Sequence, residues 1–88
     1  MYIMKNIFIA VQVDYTGQKE LVSGKPLNGG NNAFYAFVEV YRPGTNLVSA
    51  LEMIGGLVSA TVCETRKQAD DTVAEWNRVF RANGTYAF

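Results

Sequence analysis

The chain has no histidine, one cysteine, two prolines and no net charge, with eight basic residues against eight acidic ones. The missing histidine removes the commonest general base, the commonest zinc ligand and the ordinary pH switch at once. A lone cysteine, Cys63, excludes an internal disulfide and fits a reducing compartment. Cys63 stands just before a helix start, where a thiolate is favoured, but no imidazole is available to activate it. Zero net charge gives no bulk attraction to nucleic acid or to a membrane surface. It also argues against a DNA mimic, which would be strongly acidic. No phosphate loop, dinucleotide-binding glycine pattern or zinc spacing occurs. Asp70 and Asp71 are adjacent on a helix and do not face one another, so they form no metal pair.

What is present is a globular composition. Half of the 88 residues are apolar and 12% are aromatic. The length fits one domain, 1–88, of modest stability on its own, for which oligomerisation is a common remedy. The N-terminal stretch MYIMKNIFIAVQVDY has no positive leader and no small-residue cleavage site, and is too short to span a bilayer. Met4 is an alternative start. A cytoplasmic location is expected, the host cytoplasm if the chain is phage-encoded.

The clearest element is a C-terminal helix. Thr65 is an N-cap with Gln68 three residues on, a capping box. Ala69, Val73, Trp76 and Phe80 form its inward stripe, and Gly84 stops it. Upstream, Ile3, Ile7, Ile9, Val11 and Val13 alternate with Met4, Asn6, Phe8, Ala10, Gln12 and Asp14, Lys5 being the exception among the odd positions, predicting a first strand with one strongly buried face. A glycine- and asparagine-rich connection runs from Asp14 to Asn32, with Glu20–Val22 as a short edge strand inside it. Its Asn28–Asn32 stretch tolerates positive φ and could aim backbone amides at a ligand, or simply connect two strands. Ala33 to Tyr41 is the second strand. Thr45 or Asn46 caps a short helix carrying Leu47, Ala50, Leu51 and Ile54, and Leu57 to Glu64 is the third strand. The expected fold is α+β, a small antiparallel sheet of order β-β-α-β-α with both helices on one face.

Two groups of residues are candidates for function. Arg66 and Lys67 occupy the first turn of the C-terminal helix, where basic side chains oppose the dipole. With Thr65 and the free amides they could hold a phosphate, or they are two solvated bases. If helices cover the Ile/Val face, Phe8, Gln12, Tyr35, Phe37 and Tyr41 share the far side. Such a patch could stack on a nucleotide base or be covered by another subunit. The basic, glycine-containing strand motif of RNA-recognition domains is missing.

The stretch ETRKQADDTVAEWNRVFRANGTY resembles short counter-defence proteins of phages and prophages of Gram-positive bacteria. The similar features are its Thr-basic-basic start, Ala69, the Trp76-Asn77 pair and the Asn83-Gly84-Thr85-Tyr86 end. The chain is somewhat similar to the anti-Thoeris signal sponges. That resemblance implies an oligomer that sequesters a cyclic ADP-ribose isomer or cyclic oligonucleotide without degrading it. The expectation taken with the residues is a non-enzymatic homo-oligomer, without cofactor or metal, that binds a cyclic nucleotide or another phosphate-bearing small molecule. No binding residue is carried over from the family. The site expected from the residues themselves is Thr65, Arg66 and Lys67 with Phe8, Tyr35 and Tyr41. The alternatives are a protein–protein inhibitor of a host defence effector, anti-CRISPR-like, and a structural or assembly protein.

Overall fold

The computed structural model describes residues 5–88. Among these the chain forms β1 (Ile7–Asp14), a one-turn 3-10 segment (Leu27–Gly30), β2 (Phe34–Tyr41), α1 (Leu47–Glu52), β3 (Leu57–Cys63) and α2 (Arg66–Ala82). The fold is α+β, with the expected order β-β-α-β-α and an antiparallel sheet of strand order β2-β1-β3. Ile3 and Met4, assigned to the first strand from sequence, lie outside the described residues.

The most apolar strand takes the centre of the sheet. Ile9, Ala10, Val11 and Val13 have no exposed surface, so β1 is buried on both faces. Its register with β2 sets Ile7 opposite Tyr41, Val11 opposite Phe37 and Val13 opposite Tyr35. Directly opposed residues share a face. Tyr35, Phe37 and Tyr41 therefore lie on the Ile/Val side and pack against Ile9, Val11 and Val13. Phe8 and Gln12 lie on the other side. The expected far-side patch of Phe8, Gln12, Tyr35, Phe37 and Tyr41 is thus not formed. Alternation tells which residues of one strand share a side, but the register between strands decides which sides coincide.

The same register places the helices. Leu47, Leu51 and Ile54, from α1 and the turn after it, pack on the Ile/Val/aromatic face. The long helix α2 crosses the opposite face, where Phe80 stacks on Phe34 with centroids 5.4 Å apart. Fully buried Ala10 and Ala36 on that face let a helix backbone come close. The helices take one face each, where the sequence reading placed both on one. Joining the Phe34/Ala36/Val38 side to Phe8 and Ala10 makes both faces apolar, and each needs a cover.

The helix starts are as the sequence reads. Thr65 Oγ1 accepts from the Gln68 amide at 3.1 Å. The Gln68 side chain reaches one residue further back than expected and accepts from the Glu64 amide at 2.9 Å. Asn46 caps α1, accepting from the Ser49 amide at 3.1 Å. On α2 the buried centre of the inward stripe is Asn77, while the larger Trp76 is only half-buried.

The outer edge of β2 is closed at Phe34 and Ala36. The Ala36 amide donates to Asn77 Oδ1 at 2.8 Å, and Asn77 Nδ2 donates back to the Ala36 carbonyl at 3.0 Å. The Phe34 amide donates to the Thr85 carbonyl at 2.7 Å, and the Ala87 amide donates to the Phe34 carbonyl at 2.9 Å. Residues after α2 thus run beside β2 as a short parallel bridge.

The β1–β2 connection forms an arm. The Leu27 amide donates to Gln18 O at 3.0 Å and the Glu20 amide to Lys25 O at 2.9 Å, so two short limbs pair with each other. Leu21 and Val22 sit at its tip and are fully exposed. The expected strand Glu20–Val22 is replaced by this turn, which the Gly24 amide closes on Glu20 O at 2.9 Å. Asn28, at φ 49°, is stitched down rather than aimed outward. Its Nδ2 donates to Asn32 O at 2.7 Å and to Gly84 O at 3.0 Å.

Candidate ligand cleft at the arm end of the sheet

The end of β1, the start of β2 and the residues after α2 each deliver aromatic rings to one place. Tyr15 follows the last residue of β1, and Tyr35 is the second residue of β2. Gly84, at φ 71°, turns the chain out of α2 so that Tyr86 and Phe88 come back beside β2. Tyr35 is the hub. It meets Phe88 edge-on at 4.9 Å, Tyr86 edge-on at 5.9 Å, Phe37 stacked at 5.9 Å and Tyr15 stacked at 6.4 Å. These separations lie in the range in which aromatic pairs attract beyond simple burial. The Arg81 guanidinium covers the outer face of Tyr86, 4.2 Å from the ring centre, a cation–π contact.

Beside this cluster is an open cleft of about 880 Å³, with Tyr15, Phe88, Leu27 and Ile54 among its walls and the arm along one side. A smaller recess of about 290 Å³ lies between Asn28, Arg81, Gly84, Tyr86 and Phe88. Phe88, 68% exposed, borders both. A ring in the cleft could stack on Phe88 or Tyr15 while an attached anion reaches towards Arg81.

The polar groups of the cleft are of both signs: Lys19 against Asp14 and Glu20. Hydrogen bonds from Thr16 hold the Asp14 carboxyl below the usual carboxylate range, with the Thr16 amide 2.7 Å from Oδ1. Burial, and secondarily Tyr35, pushes the Tyr15 phenol above its ordinary value.

The residues proposed from sequence are dispersed. Arg66 faces Asp70 at 3.8 Å and Lys67 faces Asp71 at 2.9 Å, each pair one turn apart and exposed. Thr65 spends its hydroxyl lone pair on the cap. Phe8, opposite Cys63, and Tyr41, opposite Ile7, stand at the same end of the sheet as this helix start but on opposite faces. Tyr35 is at the other end, in the aromatic cluster. Only Tyr35 of the six borders the cleft cluster. The participants that sequence reasoning missed are Tyr15, Arg81, Tyr86 and Phe88. Their signal was the alternating Tyr86-Ala87-Phe88 after a helix-stopping glycine, which has the pattern of an edge strand.

Among the described residues no three or more Cys, Asp or Glu side chains gather as a metal site, and no helix is long and apolar enough to cross a membrane. Comparison with family models, curated proteins and solved structures gives no match.

Proposed function

We propose that the chain is a non-enzymatic binding protein that takes a planar, ring-bearing small molecule into the cleft under the arm. A nucleotide signal is the ligand class that suits it. The observation that carries this reading is that Tyr15 and Phe88 line the open cleft, while Phe88 also borders, with Tyr86 and the Arg81 cation, the recess next to it. Rings give sequence-tolerant stacking on a base, and a guanidinium suits a phosphate. The walls offer surfaces for holding a ligand, with no nucleophile–base pair among them. In the counter-defence setting implied by the resemblance of the α2 region, the protein would hold a cyclic nucleotide immune signal and leave it intact.

Calorimetry with cyclic dinucleotides, cyclic trinucleotides and cyclic ADP-ribose isomers tests this. A binder should lose roughly tenfold or more in affinity on Phe88→Ala or Tyr15→Ala, the scale of one lost stacking contact. Heat denaturation of the complex should release the ligand unaltered. If none of these ligands gives heat, the cleft reading falls.

One observation favours a second reading, the protein–protein inhibitor. Leu21 and Val22 project from the arm tip with nothing against them in the described residues. Under that reading a host defence protein co-purifies, and Leu21→Asp abolishes the capture.

A further inference from the structure

The two edges of the sheet are treated differently. Asn77 and the Thr85–Ala87 segment close much of the β2 edge, whereas no described residue outside the sheet hydrogen-bonds to β3 from Ser59 to Cys63. Edge strands are ordinarily defended by charge, proline, shortness or a bulge. The stretch Leu57–Cys63 contains no charged residue and no proline. Its one device is a bulge where the register shifts between Gln12 and Val13. That bulge leaves Ser59–Cys63 as a regular, uncharged edge. Val62 is 62% exposed and Val58 54%, so the Ile/Val face of the sheet continues outwards uncovered.

The alternation of hydrogen bonds shows which groups of this edge are open. Ala36 turns its amide and carbonyl away from β1, towards Asn77, so its partner Gln12 turns its own towards β3. Gln12, Ala10 and Phe8 therefore bond Ser59, Thr61 and Cys63. The amides and carbonyls of Ala60 and Val62 point outwards.

We propose that β3 pairs antiparallel with β3 of a second copy, about a two-fold axis at Thr61, giving a continuous six-stranded sheet. In this register Ala60 of one copy faces Val62 of the other, and each outward donor meets an outward acceptor. Thr61 faces its own copy as a close, non-hydrogen-bonded pair. An uncharged strand is matched to itself, where a charged one would repel its copy. The Ala60/Val62 sides coincide, so the apolar face runs unbroken through the junction. The chain also exposes 6163 Å², against about 5,100 Å² for a compact monomer of its 9.7 kDa mass. The difference is of the order that one partner hides in a standard interface.

Sedimentation and light scattering of the intact chain at micromolar concentration give the test. The expected result is a dimer. Val62→Lys, at an exposed position, should convert it to a folded monomer with unchanged circular dichroism. Thr61→Cys in a Cys63→Ser background should cross-link to a dimer on mild oxidation, because close strand pairs lie within disulfide reach. Leu21→Asp should leave the dimer intact. A wild-type monomer overturns the proposal. So does a dimer that survives Val62→Lys without a Thr61→Cys cross-link, or one that Leu21→Asp dissociates, which would place the interface on the arm.

Discussion

The carboxamide of Asn77 pairs with the backbone of Ala36 as a neighbouring strand would, giving one hydrogen bond and receiving one. Asn77 is 7% exposed and Ala36 is fully buried, so water does not replace these bonds. A helix face thereby does the work of a fourth strand at one point on the β2 edge. It also fixes how far along the sheet α2 can slide, since no other outward amide–carbonyl pair on that strand meets a side chain of α2 among the described residues.

Asn77→Ala should be one of the costliest single changes on α2. It strands a buried donor and a buried acceptor, each worth about 1–3 kcal/mol when left unpaired. The expected loss is about 2–4 kcal/mol, read as a lower midpoint of urea unfolding at unchanged slope. Asn77→Asp keeps the acceptor for Ala36 N–H but loses the donor and buries charge, so it should not rescue the parent's stability.

Gly56→Ala and Gly55→Ala should behave differently although the residues are neighbours. Gly56 has φ 74°, and a Cβ there would overlap the Asp14 carbonyl, while the Asp14 amide donates to Gly56 O at 2.9 Å. Gly55 has open space around its Cβ position. Gly56→Ala should destabilise by about 1–3 kcal/mol, and Gly55→Ala by clearly less. Equal melting temperatures for the two variants would contradict this account of Gly56.

Arg66→Glu should leave stability nearly unchanged, within about 0.5 kcal/mol. It removes an exposed ion pair with Asp70 and adds a like-charge pair, while gaining a favourable dipole interaction of similar size. Ligand affinity in the arm-end cleft should also be unaffected, because Arg66 is at the other end of the sheet. If this substitution abolishes nucleotide binding, the ligand belongs at the start of α2 and the cleft assignment fails.

The Tyr15 phenol should titrate later than an ordinary tyrosine, seen as delayed tyrosinate absorbance that Tyr15→Phe reduces; Tyr41, raised in the same direction, supplies the remainder. Its folded value lies above the unfolded value of about 10, chiefly because burial disfavours the phenolate. Its contribution to stability is therefore complete below about pH 10 and is lost as pH rises through the higher folded value. Asp14 works in the opposite sense. Its folded value is depressed, so its contribution is present above about pH 4 and is lost as pH falls through that lower value.

Local signals carried far into this fold. The Thr65 and Asn46 caps, the stop at Gly84 and the alternation along β1 all have causes within a few residues, and the structure follows them. What was not legible depends on relations between distant segments. Whether Tyr35 sits beside Val13 or beside Phe8 is a matter of register, which the long arm leaves free in the sequence. Asn77 interrupts an otherwise apolar stripe, and its reason is the edge of β2, forty-one positions upstream. Arg66 and Lys67 oppose the dipole but are compensated by Asp70 and Asp71 one turn later. The aromatic cluster escaped notice because its members come from three separate stretches, and only closure of the domain assembles it.

The bridge between Phe34 and Tyr86 has a bearing on the order of synthesis. A ribosome delivers β1, the arm and β2 early, and these can form a hairpin from near neighbours. At Ala36 the outer edge of β2 stays bare until Asn77 has left the exit tunnel, and at Phe34 until Thr85 and Ala87 have followed. Closure of this edge therefore follows the synthesis of α2 rather than that of the hairpin. Meanwhile the growing polypeptide offers an unsatisfied strand to anything nearby, including a neighbouring nascent copy on the same messenger.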